Sequence, residues 1–173
     1  MLDLVAMRKF LIAVLLLASQ SSRPVVPDKI AAPANELVVL EAHASGSQIY
    51  VCQAGSDQKL AWTLVAPEAE LFDTKGSAIG KHFAGPTWKH SDGSEVIGKV
   101  VAKADSPDAS AIPWLLLTAA SHSGNGVFAS VTSIQRIHTQ GGQAPSTGCD
   151  DAHRGAKTKS AYSADYFFYA PAH

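Results

Sequence analysis

From Glu36 onward, the apolar residues of this chain recur mostly with period two, in short runs separated by Gly, Pro, Asp and Ser. This spacing is typical of strands in an antiparallel sheet, because successive side chains of a strand point to opposite faces. The sequence therefore predicts an all-β fold, an antiparallel β-sandwich or barrel. Seven strands are predicted, at residues 36–41, 48–53, 60–65, 95–102, 112–118, 127–139 and 161–169.

Two of these predicted strands need a closer reading. Residues 127–139 also fit helical spacing, but their many β-branched side chains favour a strand. In the strand at 60–65, the large side chains of Leu60, Trp62 and Leu64 alternate with smaller ones. We therefore expect these three side chains to share one face and to build part of the core.

The first 22 residues have the order of an export signal. Arg8 and Lys9 precede the apolar run 10–18, and the polar segment 19–22 follows it. A transmembrane helix needs roughly 20 apolar residues, so this run is too short to be a membrane anchor. The sequence predicts a signal peptide over residues 1–21, a secreted or periplasmic location, and no membrane anchor in the mature form.

The rest of the chain is long enough for one domain. Residues 22–35 contain three prolines and little periodicity, which predicts an extended linker. Residues 36–173 then form a single domain with one core. The chain has 14 basic and 15 acidic residues, a formal net charge of −1, and this balance gives no electrostatic reason to expect a nucleic-acid partner.

Cys52 and Cys149 are the only cysteines of the chain. An even count without C-x-x-C spacing, in an oxidising compartment, indicates one structural disulfide. The alternative is two free, buried thiols.

The best candidate for a ligand pocket is the cluster of His82, Trp88, His90 and Asp92. Trp88 follows Gly85-Pro86 in a segment that is predicted to be a loop. Aromatic faces beside polar groups are common in sites that hold glycans or small apolar ligands. The alternative is a tryptophan that caps one end of the core. The histidine spacing is not diagnostic of a metal site, and no metal or other cofactor is predicted.

One apparent nucleotide-binding motif is rejected. Gly124, Gly126 and Ala129 match the G-x-G-x-x-A pattern, but β-rich sequence follows where the dinucleotide fingerprint requires a helix. Asn125-Gly126 instead predicts a type I′ turn between two strands. The chain also lacks the G-x-S-x-G, H-E-x-x-H and P-loop motifs of common enzyme classes.

One structural ion pair is expected within the sheet. Arg136 lies in an apolar predicted strand, and Asp165 lies in the aromatic last strand. We expect these two side chains to form a partly buried ion pair across neighbouring strands.

Several short motifs, taken in order, carry a resemblance to a known family. They are Tyr50-Val51-Cys52-Gln53, Gly85-Pro86-Thr87-Trp88, Ile112-Pro113-Trp114-Leu115-Leu116, Ile134-Gln135-Arg136 and Ala164-Asp165-Tyr166. With these motifs, residues 36–170 resemble the exported bacterial and fungal family called domain of unknown function 3455 (DUF3455). The resemblance implies a secreted domain with a Cys52–Cys149 bridge and brings no established activity. Some fungal members have malate-dehydrogenase-type names, which the missing Rossmann architecture makes implausible here.

Together these observations predict an exported, disulfide-bonded β domain that acts as a non-catalytic binding or structural module of the cell envelope or the extracellular space. Its expected partner is a glycan or a small apolar ligand. The alternative is a secreted enzyme, a hydrolase or a metal-dependent enzyme, with its pocket near the cluster of His82, Trp88, His90 and Asp92.

Overall fold

The chain folds into a closed barrel of eight antiparallel strands, as seen in a computed structural model that describes residues 22–172. Each strand pairs with the next along the chain, and the last pairs with the first. The predicted all-β class is confirmed, and the barrel is the architecture that forms. The strands are β1 (Glu36–Ala54), β2 (Leu60–Phe72), β3 (Ala78–Phe83), β4 (Thr87–His90), β5 (Glu95–Ala104), β6 (Trp114–Ser123), β7 (Ser133–Gly141) and β8 (Lys157–Pro171).

The first strand is longer than its sequence pattern indicates. The two segments predicted at 36–41 and 48–53 belong to one strand, β1, of 19 residues. The small residues at 44–47, which interrupt the apolar alternation, pair with β2 on one side and with β8 on the other. Their backbone hydrogen bonds, rather than apolar side chains, keep this part of the strand extended.

Three other predictions are corrected between β3 and β7. The segment around Trp88, predicted as a loop, contains the short hairpin of β3 and β4. Residues 127–139 are not one strand, because Val127–Ser130 forms a turn of 3-10 helix before β7 begins. The predicted type I′ turn at Asn125-Gly126 is absent, because that turn needs a positive φ at both residues and Gly126 has φ −157°.

The barrel wall is incomplete on one side. In the described part of the chain, β2 pairs with β3 only between Ala69 and Phe72, and β5 pairs with β4 only between Glu95 and Ile97. The short β3–β4 hairpin therefore leaves a lateral opening between the first half of β2 and the second half of β5.

This opening explains why the predicted core face of β2 is wrong. The side chain of Leu64 borders the opening, and the residue is 49% exposed. Trp62 is only half-buried, and its Nε1 donates to the Thr147 carbonyl at 2.8 Å. The alternation of large and small side chains predicted that these residues pack in the core. At this point, however, the barrel wall is open and its interior is not filled.

Buried apolar residues form two clusters, one inside the barrel and one on its outer face. The interior cluster includes Trp88, Leu117, Phe128, Ile134, Tyr166 and Phe168. The outer cluster includes Ile30, Trp114, Ile137, Phe167 and Tyr169. Ile30 belongs to the segment predicted as a linker, and its carbonyl accepts a 2.6 Å hydrogen bond from Nε2 of Gln135. Part of residues 22–35 therefore packs along the barrel as a cover for this outer face.

A disulfide joins Cys52 at the end of β1 to Cys149 in the loop between β7 and β8, as predicted. The same loop is also held by the hydroxyl of Tyr50, which donates to the Gly142 carbonyl at 2.6 Å. Among the described residues, no helix is long and apolar enough to cross a lipid bilayer. The predicted signal peptide at residues 1–21 lies outside these residues.

Candidate ligand-binding site

A cavity of about 390 Å³ lies inside the barrel and reaches the lateral opening. Most of its lining is apolar and comes from Leu64, Val65, Ala66, Pro67, Pro86, Val100, Leu115 and Leu117. The polar groups of its lining belong to Gln48, His82, Trp88, Arg136 and Tyr166. These thirteen residues, together with Gly85, come from all eight strands and from the turn between β3 and β4, so barrel closure brings them together.

Trp88 forms the inner wall of the cavity and is 1% exposed. Its indole stacks on the His82 ring, with centroids 4.4 Å apart and planes inclined by 9°, and it meets the Tyr166 ring edge-on at 5.4 Å. Gly98 on β5 makes room for the indole, because a Cβ at that position would lie 2.9 Å from its Cζ3 atom. Close packing fixes the orientation of this tryptophan.

His82 is a neutral hydrogen-bonding group at ordinary pH. Its Nδ1 lies 2.8 Å from the carbonyl oxygen of Thr87, which can only accept, so Nδ1 carries the proton. Burial lowers the pKa of His82 to about 3, and the Thr87 hydrogen bond offsets only part of this effect. The second ring nitrogen, Nε2, is therefore an acceptor.

Among the described residues, Arg136 is the one charged residue in the lining of the cavity. Its Nε and Nη2 atoms donate to the Pro113 carbonyl, at 3.2 and 2.8 Å. The predicted ion pair with Asp165 is wrong. Arg136 is opposite Tyr166 in the register of β7 and β8, whereas Asp165 is opposite Ile137.

Asp165 instead lies on the outer face of the barrel, where it contacts two histidines. Its Oδ1 lies 2.9 Å from Nδ1 of His43, and its Oδ2 lies 2.8 Å from Nδ1 of His138. Because neighbouring residues of a strand face opposite sides, Asp165 cannot share a face with the cavity-lining Tyr166.

Asp92 lies away from the cavity, at the end of the barrel where β4 turns into β5. Its Oδ1 accepts from the hydroxyl and the backbone nitrogen of Ser94, at 2.6 and 2.8 Å, and its Oδ2 accepts from the backbone nitrogen of Val127 at 2.9 Å. The Ser94 hydroxyl, followed by the Val127 bond, holds the pKa of Asp92 well below its usual range. A Cβ on Gly126 would collide with this carboxylate.

These bonds fasten the Val127–Ser130 turn across the end of the barrel. Phe128 of that turn is fully buried, and its ring packs on Phe168 with centroids 4.6 Å apart. His90 joins the same group, with Nδ1 at 3.1 Å from Oδ2 of Asp92 and its ring edge-on to Phe128 at 5.8 Å. His90 and Asp92 thus close one end of the barrel.

Of the four predicted pocket residues, His82 and Trp88 line the cavity, and His90 and Asp92 do not. The sequence analysis missed Gln48 and Tyr166 as lining residues. Arg136 gave a visible signal, a charge within an apolar strand, but was assigned to an ion pair. In the described part of the chain, no group of three or more His, Cys, Asp or Glu side chains is arranged to hold a metal ion.

The family model described as protein of unknown function (DUF3455) matches residues 33–170. The chain belongs to this family. No match is found among curated proteins or among solved structures. The match spans the barrel except for the last residue of β8, and it includes every residue that lines the cavity.

Three residues that line the cavity of this DUF3455 domain each have a buried polar atom without a hydrogen-bond partner in the described structure. These atoms are Oε1 of Gln48, Nε1 of Trp88 and the hydroxyl of Tyr166. Buried polar atoms in native proteins are nearly always paired, because an unpaired one costs about 1 to 3 kcal/mol. The lining of this cavity thus includes three residues with an unpaired buried polar atom.

Proposed function

We propose that this protein is an exported, non-catalytic module that binds a small, mainly apolar ligand in the barrel cavity. The proposal is supported above all by one observation: a mainly apolar cavity of about 390 Å³ is lined by a few residues with buried, unpartnered polar atoms. Small-molecule sites have this composition, in which apolar walls supply affinity and a few polar groups fix orientation.

A small apolar ligand fits this cavity better than a glycan does. Glycan sites commonly offer an open aromatic face, whereas one face of Trp88 is covered by the His82 ring and its exposure is 1%. The lining near the opening is aliphatic, with Leu64, Val100 and Leu115 among its residues.

An enzyme with a site at His82, Trp88, His90 and Asp92 has less support. The other two residues of that site, His90 and Asp92, face the other end of the barrel. Within the described residues, no carboxylate lines the cavity, and His82 has a pKa too low for acid–base work near neutral pH.

Export is supported by the disulfide, because structural disulfides persist in oxidising compartments and are rare in the cytosol. Expression of the full chain in a bacterium tests this point, with mass analysis of the purified protein. We expect cleavage between residues 18 and 22 and no free thiol. An uncleaved, reduced protein would contradict export.

Binding is tested with the neutral apolar dye N-phenyl-1-naphthylamine, whose fluorescence rises in an apolar site. We expect saturable binding of about one dye per mature protein. Val100→Trp, which places a large side chain at the opening, should weaken dye binding at least tenfold.

Val101→Trp is the matched control. Val100 and Val101 are 45% and 52% exposed, but only Val100 lines the cavity. The control should bind the dye as the wild type does. If the dye does not bind, or binds both variants equally well, a cavity ligand is ruled out.

A further inference from the structure

We infer that the ligand is a small apolar carboxylic acid, whose carboxylate binds Arg136 while its hydrocarbon part lies against the aliphatic walls of the cavity. This inference rests on the proposed function and names the class of ligand.

The first argument is the charge of Arg136. A guanidinium is always protonated in proteins, and a partly buried one normally has an anionic partner. Among the described residues, Arg136 forms no ion pair, and its recorded hydrogen bonds both go to the Pro113 carbonyl. A positive charge therefore lies beside an apolar cavity without a carboxylate to balance it.

The second argument is the geometry of the guanidinium. Nε and Nη2 occupy one edge of the planar group with the Pro113 carbonyl. Among the described residues, the end of the group, formed by Nη1 and the second hydrogen of Nη2, meets no carboxylate, and the guanidinium lies near the Tyr166 hydroxyl. Two parallel N–H groups at this spacing match the two oxygens of a carboxylate.

The third argument is the character of the neighbouring polar groups. Nε1 of Trp88 is a donor only, and burial raises the pKa of Tyr166, so its hydroxyl keeps its proton and can donate as well. The nearby Arg136 charge and the Tyr162 hydroxyl act on the oxygen of Tyr166 and partly offset the effect of burial, so the hydrogen of this hydroxyl is left to donate. A site with one cation and two donors favours an anion and disfavours a cationic ligand.

The amide of Gln48 can bind either a donor or an acceptor group of a ligand, because it has a carbonyl oxygen and an NH₂ group on the same carbon. The aliphatic walls formed by Leu64, Val100 and Leu115 have no charged atoms, so the rest of the ligand is apolar. The combination of an anionic head and an apolar tail identifies the ligand as an amphipathic acid.

The test compares decanoate with 1-decanol as competitors of the neutral dye on the mature, disulfide-bonded protein at pH 7.5. We expect decanoate to bind at least tenfold more tightly than 1-decanol. Arg136→Met should remove this preference by weakening decanoate about tenfold, with 1-decanol unchanged within twofold.

Lys99→Met is the matched control, because Lys99 is an exposed cation on β5 that does not line the cavity. It removes the same charge from the protein and should keep the full preference for decanoate. The comparison within the wild type needs no variant, so it decides the question even if Arg136→Met does not fold.

The outcomes separate the two proposals. If the dye binds but decanoate and 1-decanol compete equally, or if neither competes, the carboxylate inference is wrong and the apolar binding site stands. If Arg136→Met folds and keeps the preference, the assignment to Arg136 is wrong. If the dye itself does not bind the wild type, both proposals fail.

Discussion

The two halves of the barrel interior differ in whether their polar groups have hydrogen-bond partners. In the filled half, around Phe128 and Asp92, the carboxylate of Asp92 accepts three hydrogen bonds, and an aromatic ring closes the space between the strands. In the cavity half, around Trp88 and Tyr166, buried polar atoms have no partner in the described structure, and the wall is open on one side.

The difference indicates that the polar groups of the two halves have different roles. In the filled half they stabilise the fold, because the Ser94 bonds hold the Asp92 carboxylate in place and its bond to Val127 joins segments that are distant in the chain. In the cavity half the same kinds of group lower the stability of the empty protein, a cost that a ligand would offset. Stability measurements on paired variants test this difference between the two halves.

The largest effect is expected from removing the disulfide, which holds the loop beside the cavity half. Cys52→Ala with Cys149→Ala opens a loop of 97 residues, and the chain-entropy model gives a loss of about 4 to 5 kcal/mol. Urea denaturation with the linear extrapolation method measures this loss.

Hydrogen exchange of this double variant shows which segments lose amide protection. Amides of residues 143–156 should lose protection first, while those of Val127–Ser130 keep theirs until global unfolding. A loss of stability below 1 kcal/mol, or an equal loss of amide protection in both segments, would show that the disulfide does not stabilise the cavity half in particular.

The next effect is the pH dependence caused by His82. Its pKa is lowered from about 6.5 to about 3 by burial, so the unfolded chain binds a proton between these values and the folded protein does not. The resulting stability is fully present above pH 6.5 and decreases as pH falls, by about 2 kcal/mol between pH 7 and pH 5.

His82→Phe keeps a ring on Trp88 and removes the titration. The variant should show a pH dependence that is weaker by this amount in denaturant unfolding at pH 7, 6 and 5. Parallel curves for wild type and variant over this range would mean that His82 is accessible to protons in the folded state.

A smaller effect is expected in the filled half, from Asp92→Asn. The change removes the charge and one acceptor, so the hydrogen bond to Val127 is lost, and the partly exposed site should lose about 1.5 kcal/mol. Thermal and denaturant unfolding measure it, and dye binding in the cavity should not change.

Asp108→Asn is the control for this variant. Asp108 makes the same two contacts to the residue two positions on, Ser110, but it makes no contact like the one between Asp92 and Val127. The Asp92 variant should therefore be clearly the less stable of the two. Equal stability would show that the Val127 bond does not hold the turn.

The sequence was sufficient to predict the fold class, because alternation, turn residues and β-branched side chains agree over most of the chain. It did not reveal the β3–β4 hairpin. β4 has only four residues, and the Gly85-Pro86 turn before it reads as loop. Trp88 was therefore recognised as a site residue, but it was placed outside the sheet that holds it.

The site was only partly predictable, because closure of the barrel decides which strand faces meet. Gln48, Arg136 and Tyr166 are far apart in the chain, and their common face depends on the bulges and register of three strands. A change of register by one residue moves every side chain to the other face. This sensitivity is why Arg136 was paired with Asp165 rather than placed beside Tyr166.

The smallest effect tests the contrast most directly, within one strand. Tyr166→Phe removes a buried hydroxyl that has no partner in the empty protein, so it should change stability by less than about 1 kcal/mol or increase it. Tyr169→Phe removes a hydroxyl that donates to Oε1 of Gln135, and should cost about 1 to 1.5 kcal/mol. Denaturant unfolding of both variants gives the comparison. If Tyr166→Phe is the more damaging change, its hydroxyl already has a partner in the empty protein, and the cavity half is built for stability in the same way as the filled half.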